Sequence, residues 1–340
     1  MKTQDRTKVA LFVSLAIMFS LLGYYLPQWF GMGADNMFRP LLQLLFYSWG
    51  PALAVMFLIN LMYGGDLASL GFSRKKMTFK WLFRAMFAPL AFVGALLGVV
   101  FVLGNMLHLP GFGFVVFENQ MLSADAAPIL GTLQSFDWIG PMMPQEMWIM
   151  VALVLVLGTI WGATVSLIFN LSEELGFRGF LLRELQPMGF VGSNFVIGLL
   201  QGIWYIPLLM LTVPDLFGTY IWYVPATIGY SIAVAFPAAY FSLKGKSIYT
   251  SAIFIGVLNI VGQVSYFFIW GEESLMASPR GLAGMLILLA ATYLIIRWDK
   301  DFVDQYASLR YAPEHGPEPE LETDTAEEEK AEGDEEDPKE

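Results

Sequence analysis

The chain contains no cysteine. Disulfides, thiolate metal ligands and a thiol nucleophile are therefore excluded. Histidine is almost as scarce, with only His108 and His315 in 340 residues. Charged residues make up 14% of the chain. There is no glycine-rich nucleotide fingerprint and no convincing internal repeat. What fills the space is apolar: hydrophobic residues are 56% and mean hydropathy is +0.57. A soluble domain cannot hide that much apolar surface, so the chain is read as membrane-embedded.

A helix needs about 20 apolar residues to cross the hydrocarbon layer. Eight stretches qualify, at 9–30, 40–63, 81–107, 147–172, 190–212, 220–243, 247–270 and 279–297. In lipid the backbone must satisfy its own hydrogen bonds, so such runs predict helices rather than open strands. The expected fold class is all-α, a polytopic bundle of about eight transmembrane helices. Of the 19 basic residues, 17 fall at connections that eight spans place on one side. Only Arg39 and Arg280 fall on the other. Basic residues collect on the cytoplasmic side, so both termini are expected inside and residues 108–146 outside. The first span, Val9 to Tyr25 at its most apolar, exceeds a signal-peptide core and lacks a small-x-small cleavage site, which predicts an uncleaved helix.

Two domains are expected: a membrane domain over 1–300 and an acidic tail over 301–340. Residues 312–340 carry 14 acids and 2 bases. Such a segment is expected to be disordered in the cytoplasm, as a solvating tail or as a dock for a basic partner. Residues 64–80 mix apolar and turn residues ahead of a basic cluster, the pattern of an interfacial connector. Membrane lipids are the first expected partners, with a membrane-associated protein or peptide as a further one. No nucleic acid partner, cofactor or metal is expected.

Function in such a bundle uses polar groups at membrane depth. Glu173 and Glu174 are adjacent near the end of a long apolar run. The reason for such a pair is chemistry, a structural ion pair with Arg178, or both. Glu174 and Arg178 are four apart and can pair along a helix. Glu173 is rotated about 100° away and can face the bundle. Gln201 with Tyr205, and Asn259 with Gln263, share helix faces in the same way. Each of these residues also serves as interhelical hydrogen-bond glue in ordinary membrane bundles.

Glu173-Glu174-Leu175-Gly176-Phe177-Arg178-Gly179 resembles the E-E-x-x-x-R signature of the CAAX prenyl endopeptidase and bacteriocin-processing family of intramembrane proteases, also called the Abi or CPBP family. The resemblance extends over about 145–270. It implies an intramembrane endopeptidase, a hydrolase in which the glutamate activates water and two histidines and an asparagine bind and stabilise the oxyanion. In Gly202-Ile203-Trp204-Tyr205-Ile206-Pro207, Tyr205 stands where the family's first histidine is expected. In Ile255-Gly256-Val257-Leu258-Asn259, Asn259 matches the H-x-x-x-N asparagine and Ile255 replaces its histidine. The site implied by the resemblance is Glu173, Glu174, Arg178, Tyr205 and Asn259. Tyrosine, with a side-chain pKa of ~10, is a poor proton shuttle near neutral pH, and isoleucine is none. The leading expectation is a degenerate member, a pseudoenzyme that works as a membrane scaffold or partner-binding protein. The alternatives are a divergent endopeptidase using Glu173, and an unrelated transporter. The membrane is expected to be a prokaryotic plasma membrane.

Overall fold

The computed structural model describes residues 3–60, 67–72, 77–117, 146–213, 215–218, 220–271 and 274–306. The helices in chain order are α1 (Thr3–Trp29), α2 (Arg39–Ser48), α3 (Gly50–Leu58), α4 (Phe79–Val100), α5 (Met147–Ala163) and α6 (Leu167–Glu174). They continue with α7 (Gly189–Thr212), α8 (Tyr223–Gly245), α9 (Ile248–Val261), α10 (Ser274–Ala277), α11 (Leu282–Trp298) and α12 (Lys300–Tyr306). Among the described residues, seven segments are long and apolar enough to cross a membrane, and an eighth is added when the bent pair α5–α6 counts as one span. The chain is thus a polytopic helical membrane protein. One two-residue antiparallel ladder, β1 (Phe114–Val115) on β2 (Ile269–Trp270), ties the end of the third span to the loop after the seventh.

The fourth span differs from the sequence expectation of one straight helix. It breaks between Ala163 and Leu167 and bends by 49°. Neither proline nor a glycine pair marks the break. The Thr164 hydroxyl donates to the Ile160 carbonyl at 2.6 Å, a local bond that competes with the helical ladder. After the break, α6 runs into a π-helical turn, Leu175–Leu181, and a last short turn, Leu182–Glu184. The extra backbone residue in each π turn changes which side chains share a face.

Lipid supplies little hydrophobic drive for helix association, so close approach of small residues matters. Gly162 of α5 lies against the backbone of Gly256 and Val257 of α9. Gly198 and Gly202, one turn apart on α7, lie against α8 at Ile232 and Ile228. A Cβ at any of these positions would collide with its neighbour, so each glycine sets a helix crossing.

The connector expected at the membrane surface is partly inside the fold. Leu70 is buried in the same apolar cluster as Phe180 and Ile248, and the Gly71 carbonyl accepts from the Ile248 amide at 3.2 Å. Residues 61–66 and 73–76 of that connector lie outside the described residues. So do 118–145 of the expected outer loop, Glu272 and Glu273, and 307–340 of the acidic tail. The boundary expected at 300 is displaced. Residues Lys300–Tyr306 are helical, and Tyr306 is fully buried, its ring 5.6 Å from that of Phe190. Lys244 anchors this end by a 2.6 Å ion pair with Asp299 and a 4.9 Å approach to the Phe302 ring.

Candidate functional site

Each of the two adjacent glutamates has its own partner. Glu174 Oε1 accepts from Arg178 Nη1 at 2.8 Å, one helical turn away, as the i, i+4 spacing predicts. The same nitrogen donates to Gln201 Oε1 of α7 at 2.8 Å. All three are nearly sealed, at 1%, 3% and 3% exposure. Glu173 points elsewhere. Its Oε2 accepts from the Tyr205 hydroxyl at 2.5 Å, and the residue keeps 7% exposure. Gln201 and Tyr205 share a face of α7: Gln201 accepts from Arg178, the partner of Glu174, and Tyr205 donates to Glu173.

Tyr205 is held by its neighbour. Trp204 is buried, its indole N–H donates to Ser20 Oγ at 2.9 Å, and its carbonyl accepts from Tyr47 at 2.6 Å. Ser20 in turn donates to the Tyr47 carbonyl at 2.8 Å. Ser172, just before Glu173, donates to the Ser48 carbonyl. Helices α1, α2, α6 and α7 are therefore strapped together around the Glu173–Tyr205 pair. Such rigid support is what a precisely placed polar group in a membrane requires.

Asn259 is engaged differently. Its Oδ1 accepts from Arg280 Nη2 at 3.1 Å, and the Arg280 guanidinium lies 5.8 Å from the Tyr230 ring. Arg280 also interacts electrostatically with Glu173 and with Tyr205. The arginine, not a direct contact with Glu173, links Asn259 to the other site residues. Charge counting along the sequence assigns Arg280 to the outer loops. In the structure Arg280 is exposed at the turn before α11, and its guanidinium reaches Asn259. The one sequence signal was a lone base in Pro279-Arg280-Gly281 at the head of an apolar span. Gln201 was legible as a polar residue on α7, but its hydrogen bond from Arg178 was not. Ile255, in the second histidine position, is 8% exposed and packs in the apolar core of α9. Among the described residues, no group of three or more His, Asp or Glu is placed to hold a metal ion.

Beyond the site, Glu184 pairs with Lys8 at 3.6 Å. The buried residues of α7 end at Trp204, and those of α8 begin at Ser231. Helix α9 is buried throughout from Ile248 to Leu258, and Asn259 is half-buried. Burial on α7 and α8 thus thins beyond Tyr205 and Ser231, while Val261, Val264 and Phe267 continue the buried core beyond Asn259.

No protein-family model matches the chain, and no curated protein matches it.

Proposed function

We propose that this is a CAAX prenyl protease-like, CPBP-type membrane protein of a prokaryotic plasma membrane whose site no longer hydrolyses peptides efficiently, and that it acts as a membrane scaffold or partner-binding protein. The observation that carries this reading is the Tyr205–Glu173 hydrogen bond of 2.5 Å. The carboxylate oxygen that would hold a water is engaged by a phenol in the position of the first motif histidine. The second histidine position is Ile255, an apolar core residue with nothing to donate. Asn259 has its carbonyl oxygen on Arg280. Loss of one oxyanion donor costs about a hundredfold in rate or more. Without an imidazole at either motif position, the site also has no histidine to carry a proton from water to leaving amine.

The second reading, a divergent glutamate endopeptidase, draws on Glu173 retaining exposure that Glu174 lacks, and on a guanidinium near the pair. In that reading Glu173 activates water while Arg280 and Tyr205 stabilise the oxyanion. Purified protein in bilayers with membrane-anchored peptides separates the two. The scaffold reading predicts that wild type and Glu173→Gln are equally inert. It is overturned by wild-type cleavage that Glu173→Gln abolishes. Restoring both histidines, Tyr205→His with Ile255→His, measures how much of the ancestral geometry persists: cleavage gained there shows that the remaining site is in place.

A further inference from the structure

A second feature of the molecule, independent of the Glu173 site, lies on the N-terminal half of α1. Arg6, Val9, Ala10, Val13 and Ser14 are spaced i, i+3, i+4, i+7 and i+8 and so form one helix face. Across from them stand Leu185, Met188, Val196 and Leu200, the last two one turn apart on α7. The two walls enclose a groove of about 500 Å³, open to the surroundings and apolar except at Arg6 and Ser14. Arg6 stands at the N-terminal end of the first segment long and apolar enough to cross a membrane.

We infer that this groove is a binding site for one acyl chain of an anionic glycerophospholipid from the inner leaflet, with its phosphate on Arg6. Length selects the occupant. From Arg6 to Ser14 the wall runs eight residues, or ~12 Å. One leaflet of a ~30 Å hydrocarbon layer is about that deep. A transmembrane helix of a second protein needs the full ~30 Å and is poorly matched. Polarity selects the head group. Among the described residues the one charged lining residue is Arg6, and a guanidinium presents paired N–H groups to phosphate oxygens. Lys8, the nearby base, is already paired with Glu184 and 8% exposed, which leaves Arg6, itself exposed, as the cation facing the groove. The chain then has a lipid whose ordered tail fills the gap between α1 and α7, the two helices that also carry Ser20 and Trp204 beneath Tyr205.

The test is native mass spectrometry of the full chain released from phosphatidylcholine vesicles containing a minority of phosphatidylglycerol. Wild type is expected to retain phosphatidylglycerol in preference to phosphatidylcholine. Arg6→Gln is expected to lower that preference about tenfold, the factor that one charge-assisted hydrogen bond carries. Ala10→Trp and Val196→Trp fill the groove from opposite walls, and each is expected to abolish retention of either lipid at this site. Two walls guard against one variant failing to fold. Arg84→Gln removes a base from another helix and is expected to leave retention unchanged. Equal preference in wild type and Arg6→Gln overturns the head-group contact. Wild-type retention in both tryptophan variants overturns the groove. A loss in Arg84→Gln equal to that in Arg6→Gln overturns the site in favour of diffuse attraction to the basic face.

Discussion

Tyr205 and Glu173, 32 residues apart in sequence, meet through a 2.5 Å hydrogen bond from phenol to carboxylate. A hydrogen bond to a charged group contributes about 1.5–3 kcal/mol. Tyr205→Phe removes the donor and leaves Glu173 unsatisfied. Glu173→Gln keeps a carbonyl acceptor for the phenol. The phenylalanine variant is therefore expected to be the less stable of the two. A double-mutant cycle on unfolding in detergent should give a coupling of about 1.5–3 kcal/mol. A coupling near zero would mean that the two side chains do not hold each other.

Arg178 is expected to be the most sensitive residue of the cluster. It is buried and joins Glu174 to Gln201 through one nitrogen. Arg178→Ala strands a buried carboxylate, a change that costs about 3–5 kcal/mol where an ion pair is broken from one side. Glu174→Leu with Arg178→Met removes both charges and should recover much of that loss. Yield of folded protein and thermal inactivation in detergent check the order: wild type, then the double variant, then Arg178→Ala. If Arg178→Ala is as stable as wild type, the pair is not structural.

Gly256 sets the crossing of α9 with α5. A Cβ there would overlap the Gly162 carbonyl, a rigid backbone atom. Gly256→Ala is expected to lower the melting temperature. Gly94→Ala on α4, where nothing lies within 4 Å of the added carbon, should be neutral or slightly stabilising through helix propensity. Equal melting of the two variants would contradict the crossing.

Topology can be mapped because the chain has no cysteine of its own. Single cysteines at Ser123 and Thr323 test the arrangement derived from the basic residues. Ser123→Cys is expected to react with an impermeant maleimide on intact cells, and Thr323→Cys only after lysis. The reverse pattern would invert the bundle and place Arg6 and its groove in the outer leaflet.

Much of the fold was legible because long apolar runs with charge at alternate ends leave few alternatives. The eight runs match the seven spans plus the bent pair, with ends shifted by a few residues except in the fourth, whose helix continues from 172 to Glu184. The break after Ala163 was not legible, since it arises from a threonine back-bond and a glycine crossing with a helix almost a hundred residues later. Helix α12 was missed because its anchor, Tyr306 on Phe190, is a tertiary contact within an otherwise polar segment. The Glu174–Arg178 pair followed from spacing alone, and Glu173 with Tyr205 from the motif resemblance. Arg280 escaped because counting bases by side treats a base near a span's end as a topological marker. A long side chain at such a position can instead pair with polar groups.

The most direct measurement of the central claim is a comparison of protein N-termini in membranes from cells carrying wild type, Glu173→Gln or no copy, with the two proteins at equal level. Glu173 is read as a polar anchor held by Tyr205 rather than a working base. The account predicts that no N-terminus depends on Glu173: the wild-type and Glu173→Gln profiles coincide. A membrane-protein N-terminus present with wild type, and missing both with Glu173→Gln and without the protein, would contradict the scaffold reading and establish a divergent glutamate protease.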